Sequence, residues 1–381
     1  MARRDYGQRE LELLAEVLGS GKLCSIEGEF THRFEEAFAR TIGTKYAVAM
    51  NSAMSVLHAS VMCAGAGAGS EVICDPVFVF GAQAALYASA VPRFVDIVPD
   101  THEMDPDKLE AAINERTKAV IVTHAWGLPA EMDRIVEIAH RRGLIVIEDC
   151  AHAILATYRG RYTGSWGDIG SFSFQGSKQM ALGDGGMATT TSEELAKELD
   201  LHAGAPTFQC VAYGLHYNYR MNEITSAVGL AQLEKLPELL EGLRINASHY
   251  DQAVSGCKWL KLQAAPDATS TYHLWAATFR GEDHGITLDE FKKALKEVDS
   301  CLSVGYTEMP AYEHPVIKDR LAHAFHCQHN QPPVNYPGCC PVAERTIPNI
   351  VLAYTMQPEE KAKEEAEKLH RVITRLEGRP S

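Results

Sequence analysis

No stretch of this 381-residue chain runs the roughly 18 uncharged apolar residues that a membrane-spanning helix needs. No apolar run follows the two arginines of the opening MARRDYGQRELELLAEVLGSG either, so no secretory leader is expected and the chain reads as cytoplasmic. Positive charge is scarce: 36 Lys and Arg stand against 50 Asp and Glu, for a formal net charge of −14. That balance argues against nucleic acid or an anionic membrane as the main partner. The ten cysteines form no CxxC pair and read as reduced thiols, many of them core fillers. HAFHCQH (His323 to His329), even with Cys339 and Cys340, matches no zinc spacing, so no metal is expected. The chain lacks an internal repeat, a low-complexity tail and a Pro/Ser linker. Its one glycine-dense dinucleotide-like run, AGAGAG (64–69), follows a helical pattern and precedes a strand, the reverse of a dinucleotide fingerprint, and reads as a helix C-cap and turn.

What is present is an α/β rhythm. YAVAM (46–50), EVICD (71–75), PRFVDI (92–97), KAVIVTH (118–124) and LIVIEDC (144–150) read as strands separated by helical patterns. GSFSF and GGMATT add two more. Near-continuous apolar strands of this kind predict a mostly parallel sheet covered on both faces. NEITSAVGLAQLEKLPELLEGL reads as a long helix leading out of the large domain. From about residue 245 short strands, a Pro- and His-rich segment and a last helix predict a smaller α+β domain. The division expected is therefore 1–244 and 245–381.

Ligands of open α/β sheets sit beyond the carboxyl ends of the strands. After YAVAM come Asn51, Ser52, Ala53, Met54 and Ser55, a helix start that is an anion site or an ordinary N-cap. After EVICD come Phe78 and Phe80, aromatic rings suited either to core or to stacking on a flat ligand. Glu148 and Asp149 end an apolar strand and need partners there, with His152 three residues on. Ser173 closes SFSF, and Lys178 follows in SFQGSKQMALGDGGM, ahead of Gly183, Gly185 and Gly186. A lysine whose amine can lose its proton forms Schiff bases. A lysine, an acid, a ring and an anion cradle are together what pyridoxal 5'-phosphate (PLP) requires.

The chain resembles the DegT/DnrJ/EryC1/StrS family of PLP-dependent sugar aminotransferases. The resemblance rests on FEEAFARTIGTKYAVAMNSAMSVLHAS, VIEDCAHA, GSFSFQGSKQMALGDGGM, YNYRMNEITSAVGLAQLEKL and CPVAE. It implies the fold type I aminotransferase fold, with a seven-stranded, mostly parallel sheet and a smaller C-terminal α+β domain. It implies that Lys178 is the Schiff-base lysine and acid/base, and that Asp149 partners the pyridine nitrogen. Phe80 matches the ring-stacking aromatic, His152 the group near the 3-hydroxyl, and Ser173 a phosphate ligand. Asn218 matches an asparagine that reaches the neighbouring subunit's phosphate, which implies a homodimer with shared active sites. Tyr312 matches a residue lining the substrate pocket. The activity implied is amino transfer from Glu or Gln to a keto-sugar or keto-cyclitol. A PLP-dependent dehydratase and a non-catalytic PLP-binding regulator of the same fold are the alternatives. Arg220 is the nearest cation to these motifs, as a donor-carboxylate partner or in a structural ion pair. The chain departs from the family pattern at the phosphate cradle, where Ala53–Met54 replace Gly-Thr. It departs again at Leu155, in place of a glycine and expected to narrow the pocket, and at Asp184, in place of Glu.

Overall fold

The computed structural model describes residues 4–204, 216–318 and 336–378. Seven strands alternate with helices along the first half: β1 (Tyr46–Met50), β2 (Glu71–Cys74), β3 (Val91–Phe94), β4 (Thr117–Thr123), β5 (Ile145–Asp149), and then, past the two-residue strands β6 (Thr157–Tyr158) and β7 (Arg161–Tyr162), β8 (Ile169–Ser173) and β9 (Gly186–Thr190). They form one sheet in the order β1-β9-β8-β5-β4-β2-β3. The β3-β2-β4-β5-β8 ladders are parallel, and β9 runs antiparallel to both neighbours, β1 and β8. Helices cover both faces, so β2 and the inner residues of β4 and β5 are buried throughout, which is why they read as unbroken apolar runs.

Six of the seven predicted strands of this sheet fall within two residues of their observed bounds, because burial on two faces leaves little choice of residue; PRFVDI runs three residues past the end of β3 at Phe94. The glycine run behaves as a turn: the helix before it ends at Cys63, and Gly65 and Gly69 take positive φ of 68° and 90°. The 31-residue helix Glu223–Ala253 follows the sheet. Residue 244, where the pattern of the sequence changes, lies inside this helix. Beyond it come Leu260–Leu262, Leu274–Phe279, Ser303–Val304 and Ile350–Tyr354, which form a second, antiparallel sheet. The C-terminal helix Glu359–Glu377 packs with that sheet in a core of its own, around Trp259, Trp275 and Phe291. The strand Ala268–Thr269 crosses back to pair with β6.

The eight cysteines among the described residues are free thiols. His323–His329 lie outside the described residues. Among the described residues, no helix is long and apolar enough to cross a membrane.

Candidate active site

A cleft of about 380 Å³ opens at the carboxyl ends of β2, β4, β5 and β8. Five of the predicted residues, Asp149, His152, Ser173, Lys178 and Phe80, line it together with the Ala53–Met54 helix start.

The helix Ala53–Cys63 starts just past β1. Ser52 caps it, its hydroxyl accepting the Ser55 N–H at 3.1 Å, while the Ser55 hydroxyl donates to Asn51 Oδ1 at 2.6 Å. The N–H groups of Ala53 and Met54 belong to the first turn and have no intrahelical acceptor. β9 begins hard against this turn: a Cβ on Gly186 would lie 2.5 Å from the Ser52 carbonyl carbon and 2.6 Å from the Ala53 nitrogen. Gly185 takes φ +151° and Gly183 φ +91°. These glycines let the chain leave the lysine loop and enter the sheet beside the helix start.

Lys178 sits half-buried in the turn after β8, its N–H donated to the Gln175 carbonyl at 2.8 Å. Its own carbonyl accepts the Arg4 guanidinium. Burial lowers the pKa of its ammonium against the opposing pull of Asp149. Asp149 ends β5 almost fully buried, and one carboxylate oxygen accepts the Ala151 N–H at 3.0 Å. Burial raises its pKa, while the Ala151 N–H, Lys178 and His124 hold it down. Lysine and aspartate thus share one desolvated space, each opposing the shift that burial imposes on the other.

The neighbouring acid Glu148 has a structural task. Its two oxygens accept the N–H groups of Gly164, Trp166 and Gly167 at 2.9, 2.8 and 2.7 Å. His124 accepts the Ala130 N–H at Nδ1 and so donates to Glu148 from Nε2, at 3.0 Å. The His124–Glu148–Cys150 group is close enough to suggest a metal, but these bonds already use the histidine and the carboxylate.

Aromatic rings form the apolar wall. Phe80, on the helix Val79–Tyr87, is 43% exposed and reaches the cleft; Phe78, 3% exposed, caps the same helix and packs on Trp126, His152 and Tyr306. Asp75 orders this segment by accepting the Val77 and Phe78 N–H groups and the Thr123 hydroxyl at 2.9, 2.8 and 2.6 Å. Burial pushes its pKa up to about 6. Trp126 holds a left-handed φ of +59° while its indole N–H donates to His102 Nδ1 at 3.2 Å. A bulky residue in that region is strained, a pattern that gathers at functional sites.

Thr123, Trp126, His273 and Tyr306 line the cleft without having been singled out. Trp126 lies three residues past β4, so the strand-end rule points at it; His273 and Tyr306 come from the distant C-terminal half and carry no local signal. Three other expected residues lie elsewhere. Tyr312 is 1% exposed in the hydrophobic core, its hydroxyl donated to Glu344 at 2.6 Å. Tyr306, and not Tyr312, enters the cleft, because the Tyr312 hydroxyl finds its partner inside the core. Asn218 is exposed, its carbonyl accepting the Asn51 side chain at 3.3 Å. Arg220 donates to the Gly204 carbonyl at 3.2 Å. Leu155 lies in the core and does not narrow the cleft: it takes φ +57° and packs with Phe172 and Met180.

The donor set fits PLP. An amine of lowered pKa shares the cleft with a buried carboxylate, free helix N–H groups suit a phosphate, rings suit a flat heterocycle, and the buried Nδ1 of His152 has no partner among the described residues.

Residues 4–332 match the DegT/DnrJ/EryC1/StrS aminotransferase family. The chain is 36% identical over 321 residues to a GDP-perosamine synthase of Caulobacter vibrioides, covering 82% of this chain and 83% of that one. It is 35% identical to the spore coat polysaccharide biosynthesis protein SpsC of Bacillus subtilis, over 83% of this chain and 85% of that one. An aminotransferase structure from Psychrobacter cryohalolentis superimposes with a TM-score of 0.85 at 25% identity, covering 99% of both chains. The fold is that of the fold type I aminotransferases, and PLP is the cofactor of the family.

Proposed function

The chain belongs to the DegT/DnrJ/EryC1/StrS aminotransferase family, and is a PLP-dependent aminotransferase; we propose that it moves the amino group of glutamate or glutamine onto the ketone of a sugar or cyclitol ring. The observation that carries this reading is that Lys178 and Asp149 line one cleft at the strand ends, each opposing the shift that burial imposes on the other. The names of the curated relatives support an amino-sugar product.

PLP, when bound, takes up the electron pair released at the donor's α-carbon and carries nitrogen between the two half-reactions. Lys178 would hold its aldehyde, Asp149 its pyridine nitrogen, His152 its 3-hydroxyl, and Ser173 with the Ala53 and Met54 N–H groups its phosphate. Phe80 would cover its ring. Burial brings the Lys178 Nζ closer to neutrality, so the amine can take a proton from carbon and return it. Asp149, buried at the end of β5, would hold a positive charge at the ring nitrogen through a charge-assisted hydrogen bond. Ser52 and Asn51 keep the helix start oriented, and the aromatic wall excludes water from the exchange. Asn218, exposed at the edge of the chain, would complete the site of a second subunit in a homodimer.

Purified protein should absorb as a PLP Schiff base and lose that band on mixing with glutamate or glutamine. Borohydride should fix the label on Lys178. Label on another lysine refutes the assignment; a band indifferent to every amino donor favours a binding protein. Deoxy or keto products without transferred nitrogen favour a dehydratase. A screen of the aminated form against keto-sugars, keto-inositols and sugar nucleotides identifies the acceptor.

A further inference from the structure

His152 and His273 stack face to face in the cleft wall, with ring centroids 4.2 Å apart and planes 14° from parallel. Trp126 also stacks on His152, with centroids 5.8 Å apart and planes 19° from parallel. Both histidines line the cleft and are 7% and 8% exposed. The Nδ1 atoms of both are buried without a hydrogen-bond partner, and no described residue bonds either Nε2. Two imidazoles that are nine-tenths buried and unsatisfied are costly unless a ligand supplies what the protein does not.

The surroundings build this pair deliberately. Gln179 Nε2 donates to the His152 carbonyl at 2.8 Å and reaches the Thr271 hydroxyl at 3.5 Å. The Thr271 N–H donates to the Gly127 carbonyl at 3.1 Å. Gly127 takes φ +110°, and a Cβ there would lie 2.7 Å from the Tyr272 nitrogen, 3.0 Å from the His273 nitrogen and 3.1 Å from the His152 carbonyl oxygen. The Thr355 hydroxyl holds the Tyr272 carbonyl at 2.6 Å. The segments around Gly127, Gln179 and Thr355 therefore converge on the two that carry the rings.

Burial keeps both imidazoles neutral, each offering one N–H and one acceptor nitrogen. A hydroxyl both donates and accepts, and so satisfies either nitrogen. Beside them, Phe78, Trp126 and Tyr306 offer apolar faces to C–H groups. Apolar faces next to neutral hydrogen-bonding edges suit a polyhydroxylated aliphatic ring.

We propose that His273 is a specificity-determining residue that hydrogen-bonds a ring hydroxyl of the acceptor, a polyhydroxylated cyclic ketone. This rests on the acceptor class proposed above. The amino-acid donor has no ring hydroxyl, so His273 serves one half-reaction and not the other.

The test uses holoenzyme with His273→Asn and His273→Phe. The donor half-reaction, followed by loss of the Schiff-base absorbance with glutamate, should change less than about threefold. The second-order constant for the acceptor half-reaction should fall about 10- to 100-fold, carried by KM, and the calorimetric Kd of the aminated product should weaken by a similar factor. Equal loss in both half-reactions overturns the proposal in favour of a structural role, and so does no loss in either. If neither variant folds, wild-type enzyme with a series of singly deoxygenated acceptors decides: one position must show the same loss, and a flat series overturns the proposal. If wild type runs the donor half-reaction but aminates only ketones without ring hydroxyls, the acceptor class itself fails and this proposal falls with it. If it aminates hydroxylated rings and His273→Phe does so equally well, only the His273 proposal falls.

Discussion

Replacing Gly186 by alanine should separate the phosphate end of the cofactor from the rest of it. The added Cβ would sit 2.5 Å from the Ser52 carbonyl carbon and 2.6 Å from both the Ser52 oxygen and the Ala53 nitrogen. Non-bonded carbons settle at about 3.5–4.0 Å, so the first turn of the helix has to withdraw by roughly 1 Å. Neither side yields freely. β9 is held on both edges by β1 and β8, and the turn is pinned through Ser52, Ser55 and Asn51. Overpacking of this kind costs about 1–3 kcal/mol. The displaced groups include the Ala53 and Met54 N–H donors. A comparable loss of phosphate binding corresponds to about a 5- to 150-fold weaker affinity. The assay is equilibrium binding of pyridoxamine 5'-phosphate and of pyridoxamine to wild type and Gly186→Ala, by calorimetry. The phosphorylated ligand should lose about 5- to 150-fold while the unphosphorylated one changes little, so the preference for phosphate collapses. Equal losses for both ligands, or none, would mean that the phosphate is not held at the Ala53–Met54 turn, and the reasoning fails.

Two further substitutions probe the buried acids. Asp149→Asn should slow the donor half-reaction about 10²–10³-fold in stopped-flow absorbance, because one preorganised charge at the ring nitrogen is lost, while borohydride still labels Lys178. An unaltered rate would remove Asp149 from the chemistry. Asp75→Asn should change how stability depends on pH. The Asp75 carboxyl titrates near 6 in the folded chain against an ordinary value of 3.8. Below the ordinary value both states carry the proton, and between the two values only the folded state keeps it. This group's contribution is therefore fully present at low pH and is lost as pH rises through that window, by about 3 kcal/mol, then levels off above it. Urea unfolding of wild type at a series of pH values should show that fall relative to Asp75→Asn, whose amide can keep all three hydrogen bonds. Parallel curves would show that Asp75 titrates normally.

The parts of the fold legible in the sequence were those with a single physical cause. β2, β4 and β5 are buried on both faces, so nothing but apolar residues suits their inner positions. The place of β9, inserted antiparallel between β1 and β8, depends on contacts made across the whole large domain, and no local pattern encodes it. The two-residue strands β6 and β7 escaped because two residues have no period. Residue 244 looked like a boundary because composition changes there, yet the helix runs on to Ala253. At the site, Asp149 and Ser173 end strands and His152 and Lys178 come soon after them, so all four are legible by position. His273 and Tyr306 reach the cleft from over 90 residues further along the chain. Tyr312 carried a motif that suggested the pocket, but Glu344 meets its hydroxyl within the core.

Two of the departures from the family pattern, at Ala53–Met54 and at Leu155, share one explanation: what those positions supply is a backbone path. At Ala53–Met54 the useful groups are main-chain N–H donors, present whatever the side chain. The Ser52 hydroxyl is engaged in capping Ser55 and orients the turn without needing a hydroxyl at position 54. At Leu155, where a glycine is usual, the chain still takes φ +57°, the left-handed conformation that glycine adopts freely. For a leucine that conformation costs about 1–2 kcal/mol. Burying the side chain among Phe172, Phe174 and Met180 contributes about 1.5–3 kcal/mol, enough to offset it. The leucine therefore joins the core while the backbone that carries Asp149 and His152 past β5 keeps its course.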